Sequence, residues 1–148
     1  GCQGPIQSSN THILEVDHGW RGLSIDISQP HIDLWEGVRN TEHLVCADAI
    51  TLDYSNLFEE HDVPETVDYL SLDLEPPSIT LEALYKLPFD KYKFRVITFE
   101  HDEYRGTGTK EPSREFLLSL GYSLVDPATV NSFHINLSNA EDWYLLNV

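Results

Sequence analysis

The chain has 148 residues, of which 41% are hydrophobic and 23% charged, a composition typical of a folded domain with a sizeable core. Its formal net charge is −16, from 25 Asp and Glu against 9 Lys and Arg, so we expect nucleic acids and anionic membrane surfaces to be repelled. The sequence shows no apolar run of about 18 residues, no secretory signal and no CxxC pair, and we therefore expect a single cytoplasmic domain over residues 1–148.

The first third of the chain is predicted to run loop, helix, strand, helix, strand. Glycine and proline within residues 1–5 indicate a tight loop. A helix with a serine N-cap follows over 8–16, and alternating apolar residues predict a strand over 23–27. A proline in the first turn precedes a helix over 31–39, and an apolar run predicts a strand over 43–49.

The middle of the chain carries the two strongest predicted strands. A short helix is expected over 56–61, and the mostly apolar residues 67–73 then predict a strand that ends in acid. A helix over 80–87, capped by Ser78, separates it from a second strong strand over 94–99.

The last third begins with a glycine- and proline-containing loop over 103–112 and a helix over 113–120 that ends at a glycine. Strands are then predicted over 122–125, 133–137 and 143–148, with no helices between them, which favours antiparallel, hairpin-like edges. The whole pattern predicts an α/β fold with a mostly parallel sheet.

Acidic or polar side chains follow four successive predicted strands. They are Asp26, Asp48, Asp73 and the pair Glu100 and His101. Open parallel sheets bind ligands beyond the carboxyl ends of their strands. Four such positions in order, after a glycine loop, therefore predict a ligand site at that edge.

The residue types suit an adenosyl group. Gly1 and Gly4 lack a Cβ, so the loop can approach a ligand closely and adopt positive φ. The start of the first predicted helix can receive a carboxylate. Asp26 can accept hydrogen bonds from both hydroxyls of a ribose, and Asp48 with Ala49 can meet the amino group and the flat face of an adenine.

Motifs spread in order over nearly the whole chain resemble those of one family. The most specific are D-Y-L-S-L-D-L-E over residues 68–75 and I-T-F-E-H-D over residues 97–102. The other matching stretches lie over residues 1–5, 9–11, 19–26, 47–49, 120–122 and 141–143. By these motifs the chain resembles the FkbM-type methyltransferases.

The resemblance implies a Rossmann-like class I methyltransferase fold, mostly parallel with antiparallel C-terminal strands, that uses S-adenosylmethionine. The family has a hydrophobic first strand before the glycine loop. Because this chain opens at Gly1, we expect that strand to be absent and the domain to be truncated at its N-terminus. The chain also has Glu75-Pro76-Pro77 where the family often has Glu-Gly.

The resemblance also implies the site residues. The glycine loop would hold the methionine part of the cofactor, Asp26 the ribose, and Asp48 with Ala49 the adenine. Asp73 and Glu75 would face the transferred methyl group and its acceptor, a hydroxyl on a small molecule or glycan. The implied cofactor-binding set is Gly1, Cys2, Gly4, Pro5, Asn10, Asp26, Ile27, Asp48 and Ala49.

Methyl transfer to oxygen benefits from a base, and we predict His101, Glu75 and Asp73 as the catalytic residues. His101 is the first choice as base because imidazole titrates near neutral pH, and Glu75 and Glu100 are alternatives. A structural hydrogen bond is an equally good interpretation of His101. Asp73, Glu75 and His101 could together bind a divalent metal, but acids commonly cluster at strand ends, and we predict no metal site.

Two other functions stay open. A degenerate Rossmann-like binding or assembly module without catalysis would have its missing first strand completed by partner chains, as in a homo-oligomer. A nucleotide-sugar or dinucleotide-binding enzyme would use the same glycine loop and Asp26 for a ribose.

Overall fold

The computed structural model describes residues 2–147, and the chain forms two compact units over residues 1–63 and 64–148. Both units combine helices with strands, and parallel and antiparallel pairings both occur, so the predicted α/β class is confirmed at this level. Among the described residues, no helix has the length and apolar character that a bilayer span requires.

Unit 1 (residues 1–63) contains one pair of parallel strands. Its elements in chain order are α1 (His12–Val16), β1 (Ser24–Asp26), α2 (Gln29–Asp33), β2 (Leu44–Cys46) and α3 (Tyr54–Glu60). Ser24 of β1 lies opposite Leu44 of β2, and Asp26 opposite Cys46. The loops that follow β1 and β2 therefore both lie beyond the carboxyl ends of this pair of strands.

Helices α1 and α2 are shorter than the sequence pattern predicts. Ser8 has a φ of 57°, a left-handed conformation that an α-helix cannot contain, so α1 begins only at His12. Gly37 has a φ of 72°, and the backbone after α2 forms separate turns up to Arg39 instead of a continuous helix. Irregular backbone thus replaces the start of the first predicted helix and the end of the second.

Unit 2 (residues 64–148) alternates strands and helices around a larger sheet. Its elements are β3 (Thr66–Leu72), α4 (Pro77–Lys86), β4 (Lys93–Glu100), a 3-10 helix (Glu103–Arg105), α5 (Lys110–Ser119), β5 (Tyr122–Leu124), α6 (Pro127–Asn131), a second 3-10 helix (Leu137–Asn139) and β6 (Glu141–Leu146).

The sheet of unit 2 has the strand order β3-β4-β6-β5. β3 and β4 are parallel, with Leu72 opposite Phe99, whereas β6 is antiparallel to both of its neighbours. The sheet is therefore mixed. The last strand in the sequence lies inside the sheet and β5 lies at its edge, so the antiparallel pairing of the C-terminal strands is as predicted but the edge position of β6 is not.

The core of unit 2 lies on one face of this sheet. Ile97 and Phe99 of β4 are fully buried, as are Leu84 of α4 and Leu117 of α5. Each such side chain contributes about 1.5–3 kcal/mol on burial. Because side chains alternate along a strand, the neighbouring Glu100 belongs to the other face, where it is half-buried.

Several local predictions in unit 2 are wrong. α5 begins at Lys110, within the loop predicted over 103–112, and α6 (Pro127–Asn131) lies between two segments that were predicted to be strands with no helix between them. Residues 133–137 are not a strand: Phe133 is 70% and Ile135 83% exposed, and both sides of β6 are already paired with β4 and β5. An apolar run becomes a strand only where a neighbouring strand can satisfy its backbone. Ser78 does not cap α4, because the helix begins one residue earlier, at Pro77. Proline is favoured at the first position of a helix.

Candidate functional site

The N-terminal loop is held against β1. The Cys2 N–H donates to the Ile25 carbonyl oxygen at 3.1 Å, and the Gln3 N–H donates to Asp26 Oδ2 at 2.9 Å. Gly1, the first glycine of the predicted loop, lies outside the described residues. The loop is therefore in direct contact with the acid that ends β1.

The left-handed backbone of this loop does not occur at Gly4. Gln3 has a φ of 43° and Ser8 a φ of 57°, while Gly4 is outside the positive-φ region, so the positive φ predicted there is wrong. A Cβ on Gly4 would meet the Gln7 carbonyl oxygen at 3.6 Å, an ordinary van der Waals contact. Nothing within the loop requires a glycine at this position.

Asp26 is a buried carboxylate at the carboxyl end of β1, with 5% of its surface exposed. Its Oδ1 accepts the Ser28 N–H at 2.8 Å and lies 3.3 Å from His31 Nδ1. Burial alone would raise the pKa of Asp26, but hydrogen bonds from the Ser28 and Gln3 N–H groups outweigh burial and lower it. Asp26 is thus an ionised group, and a carboxylate with about four lone-pair sites keeps acceptor capacity on Oδ2.

Asp48 and Ala49 lie in the loop that follows β2. Asp48 Oδ1 accepts the Ile50 N–H at 3.1 Å in an Asx turn, and Ala49 is buried. The Ala47 N–H donates to the Asp26 carbonyl oxygen at 2.9 Å, which ties this loop to the end of β1. The structure therefore brings Asp26 and Asp48 to the same edge of the parallel pair.

The other predicted cofactor residues of unit 1 differ in exposure. Asn10 and Ile27 are exposed, whereas Cys2 and Pro5 are partly buried. Burial raises the pKa of the Cys2 thiol to about 11, and the negative charge of Asp26 adds to this effect, so Cys2 is a protonated thiol at neutral pH. An open depression of about 260 Å³ in this unit is lined by none of the predicted cofactor residues that the structure describes. That depression is formed by Ile32, Asp33, Glu36, Thr41 and Leu44.

Three carboxyl groups of unit 2 lie at one edge of its sheet. Asp73 directly follows β3, Glu100 ends β4, and Glu141 of β6 lies opposite Glu100. Burial raises the pKa of Glu100 to about 9, and a hydrogen bond with Asp73 and the charge of Asp73 add to the rise. Burial also raises the pKa of Glu141, partly offset by the hydrogen bond from the Trp143 indole. Glu100 therefore keeps its proton at neutral pH.

His101 is fully buried beside this edge. Its Nδ1 accepts the Glu103 N–H at 3.1 Å, so the ring proton is assigned to Nε2, which lies 3.7 Å from Asp142 Oδ2. A general base needs a lone pair that can meet the acceptor. Nδ1 of His101 is taken by the Glu103 N–H, and Nε2, although it has no hydrogen-bond partner among the described residues, is fully buried. The placement favours the structural interpretation of His101, and its catalytic role stays a prediction.

Glu75 lies in the loop after β3, two residues beyond Asp73, and is exposed. Arg105 Nη1 donates to Glu75 Oε1 at 2.9 Å and to Asp102 Oδ2 at 2.8 Å. The Thr80 hydroxyl fixes the intervening backbone, because Oγ1 accepts the N–H of Leu74 at 3.0 Å and donates to its carbonyl oxygen at 2.8 Å. Glu75 is therefore a solvent-accessible carboxylate on an anchored loop.

Two ion pairs that no sequence pattern predicted each include one partner with a buried side chain. Arg114 contacts the buried Asp142 through Nε at 2.6 Å and Nη2 at 2.9 Å. Arg39, itself buried, contacts Glu15 through Nη2 at 2.6 Å. The partners are 28 and 24 residues apart, and no local pattern in the sequence links them.

Within residues 2–147, no group of three or more His, Cys, Asp and Glu side chains is arranged so that it could hold a metal ion. Comparison of the chain with known protein families, curated proteins and solved structures gives no match. Function is therefore inferred from the residues of the chain itself.

Proposed function

We propose that the chain is an S-adenosylmethionine-dependent methyltransferase of the FkbM type that methylates a hydroxyl oxygen of a small molecule or glycan. The observation that carries the proposal is the contact between the N-terminal loop and Asp26, made by the Gln3 N–H at 2.9 Å. Asp48 follows the neighbouring parallel strand. A glycine loop next to a strand-end acid is the arrangement that open parallel sheets use for the ribose of an adenosine.

A Rossmann-like sheet is part of this proposal. The parallel pairs β1–β2 and β3–β4 are compatible with the mostly parallel sheet that the resemblance implies. The antiparallel β6 is compatible with the antiparallel C-terminal strands of that fold.

The residues of unit 1 suit S-adenosylmethionine. Asp26 is ionised, and its Oδ2 can accept a ribose hydroxyl in addition to the Gln3 N–H. Gly4 has no side chain to hinder close approach by a ligand, and the place of its absent Cβ has only the Gln7 carbonyl oxygen nearby, at 3.6 Å. When bound, the cofactor supplies a methyl group on a sulfonium cation, a charge that a protein with a net charge of −16 attracts.

The remaining chemistry is to orient the acceptor and to accept its proton. As the oxygen–carbon bond forms and the sulfur–carbon bond breaks, the hydroxyl proton must pass to a base. Asp73 follows β3 directly and forms a hydrogen bond with Glu100, and we assign it the proton-accepting role. Glu75, held by Arg105, is assigned to orienting the acceptor. Positioning of this kind contributes up to about 7–11 kcal/mol in favourable cases.

Isothermal titration calorimetry with S-adenosylhomocysteine tests the proposal. We expect the folded chain to bind with a Kd on the order of micromolar, and Asp26→Asn to bind at least about tenfold more weakly because the ribose loses a charged acceptor. Asp17→Asn is the matched control: Asp17 is an exposed carboxylate of the same unit that we do not place in the site, and its variant should bind like the wild type.

Thermal unfolding of each variant shows whether a loss of binding reflects a loss of folding. Absence of binding heat from folded wild-type protein rejects the methyltransferase. Displacement of S-adenosylhomocysteine by NAD would point to the dinucleotide-binding alternative. Binding of S-adenosylhomocysteine by a monomer, as judged by sedimentation, rejects the assembly module.

A further inference from the structure

The buried Arg39 makes a hydrogen bond with each of its five N–H donors. Nε and Nη2 donate to Glu15 Oε2 at 2.9 and 2.6 Å. Nη1 donates to Ser9 Oγ at 3.0 Å and to the Pro5 carbonyl oxygen at 3.5 Å, and Nη2 also donates to Thr11 Oγ1 at 3.1 Å. A guanidinium presents five donors in a rigid plane, so the donors of Arg39 are all used by this part of the chain. The side chain of Arg39 is 2% exposed.

The charge of Arg39 is balanced locally. Glu15 Oε2 contacts the guanidinium, and Glu15 Oε1 accepts the Asn40 N–H at 2.9 Å. Burial alone would raise the pKa of Glu15, but the hydrogen bonds from Arg39 and Asn40 and the charge of Arg39 outweigh it and lower the pKa. The pair is therefore ionised at neutral pH, and its two charges neutralise each other, so it offers no net charge to a ligand.

Trp35 adds a further attachment to the same loop. The guanidinium carbon of Arg39 lies 4.1 Å from the centre of the Trp35 ring, a cation–π contact. The Trp35 indole N–H donates to the Gln3 carbonyl oxygen at 2.9 Å, and the side chain is almost wholly buried. Trp35 thus holds the residue whose N–H contacts Asp26.

These contacts determine the shape of a segment that lacks regular structure. The residues from Cys2 to Thr11 form neither helix nor strand, and two of them, Gln3 and Ser8, have left-handed backbone. Such a segment has few backbone hydrogen bonds of its own to maintain one conformation. The hydrogen bonds of this segment to Trp35 and Arg39 restrain it instead, because each of them reduces the number of conformations open to the loop.

We propose that Arg39, together with Trp35, is a positioning residue of the cofactor site that holds loop 3–11 in the conformation that receives the cofactor. Because its donors are all used inside the protein, Arg39 acts through the loop and does not touch the ligand. This inference rests on the proposed function, since it assigns to the loop the binding of S-adenosylmethionine. A loop that is already ordered loses less entropy when the ligand binds.

Arg39→Lys and the double variant Ser9→Ala/Thr11→Ala test the inference. Lysine keeps the charge but lacks the planar fork, and the double variant removes two loop contacts while leaving the ion pair with Glu15 intact. We expect both to bind S-adenosylhomocysteine at least about tenfold more weakly, at a temperature where each is folded. Arg21→Lys, at an exposed arginine of the same unit, is the control and should bind like the wild type.

Hydrogen exchange of residues 3–11 without ligand gives a second readout, and we expect protection there to fall in both variants and not in Arg21→Lys. Wild-type protein that binds no S-adenosylhomocysteine rejects the proposed function, whatever the exchange shows. Wild-type binding with variants that stay within about twofold of it, or with unchanged protection of the loop, rejects the positioning role of Arg39. If Arg39→Lys does not fold, the double variant decides.

Discussion

At Gly4, the requirements of the fold and those of ligand binding can be distinguished. Its two left-handed neighbours along the loop are Gln3 and Ser8, both of which carry side chains. A methyl group on Gly4 would make one ordinary contact with the Gln7 carbonyl oxygen. The fold therefore places no demand on this glycine, and any demand must come from a ligand.

We expect Gly4→Ala to leave the free energy of unfolding within about 0.5 kcal/mol of the wild type. It should weaken binding of S-adenosylhomocysteine about tenfold, because the added methyl group blocks close approach of the ligand to the backbone. Chemical denaturation and calorimetry measure the two effects. Gly22→Ala, which has open space around its Cβ position and no positive φ, is the control for both. A marked loss of stability in Gly4→Ala would show that the glycine serves the fold instead.

Asp142 shows how a buried charge is kept in unit 2. Burial alone would raise the pKa of this carboxyl, but the neighbouring His101 and the two hydrogen bonds from Arg114 outweigh burial and lower the pKa to about 2. The folded pKa lies below the unfolded value of 3.8. Its contribution to stability is therefore complete above pH about 4 and is lost as the pH falls toward 2.

We expect Asp142→Asn to lower the free energy of unfolding by about 3 kcal/mol at pH 7, because Arg114 would lose its carboxylate partner in a buried setting. Urea denaturation measures the loss, which should become smaller at pH 2.5. The control is Asp68→Asn, whose carboxylate lies 3.5 Å from Arg95 on the surface and should change stability by less than about 0.5 kcal/mol. Equal effects of the two substitutions would contradict the role of Asp142.

At the scale of elements, strand pairing brings like charges together. β3 and β4 are parallel and end at the same edge, and β6 runs back from that edge. Asp73, Glu100 and Glu141 consequently lie side by side, although 27 positions separate the first from the second and 41 the second from the third. The folded state accommodates them by retaining a proton, since two neighbouring carboxylates cannot both ionise at low cost.

The pH dependence of stability should report this proton. The pKa of Glu100 is raised to about 9 in the folded protein, above its ordinary value of 4.5, so stability is lost as the pH rises from about 5 through 9. Glu100→Gln removes the titrating group. Between pH 6 and pH 9 we expect the free energy of unfolding of the wild type to fall by about 1 kcal/mol more than that of the variant. This figure is smaller than the full pKa shift would give, because the carboxyl is partly solvated. An equal loss of stability in the two proteins over this range would refute the raised pKa of Glu100.

At the scale of the whole molecule, some of the nine Lys and Arg residues lie at the surface, and a few form ion pairs with a buried partner. Unit 1 uses Arg39 to attach its N-terminal loop, and unit 2 uses Arg114 to neutralise Asp142. Two of the few positive charges are thereby committed to the fold. The acidic excess that remains favours neutral or cationic ligands over polyanions, which agrees with the proposed cofactor.

Much of the secondary structure followed from local pattern. The apolar runs over 67–73 and 94–99 form β3 and β4 within one residue of their predicted limits, because a run of apolar residues bounded by polar and turn residues has few other stable conformations. The alternation of strands with helices likewise predicted the α/β class. The position of Asp73 directly after β3 followed from those limits, whereas β2 ends at Cys46, before the predicted limit of 49, and Asp48 lies in the loop that follows it.

Long-range pairing could not be derived in the same way. The insertion of β6 between β4 and β5, the irregular backbone over 133–137, and the attachment of the N-terminal loop to Arg39 each depend on contacts between residues distant in sequence. The periodicity of apolar residues predicts which face of an element packs against a core. It does not predict which other element packs beside it. Only the folded chain selects those neighbours, because satisfied backbone groups and balanced buried charges are properties of pairs brought together in space.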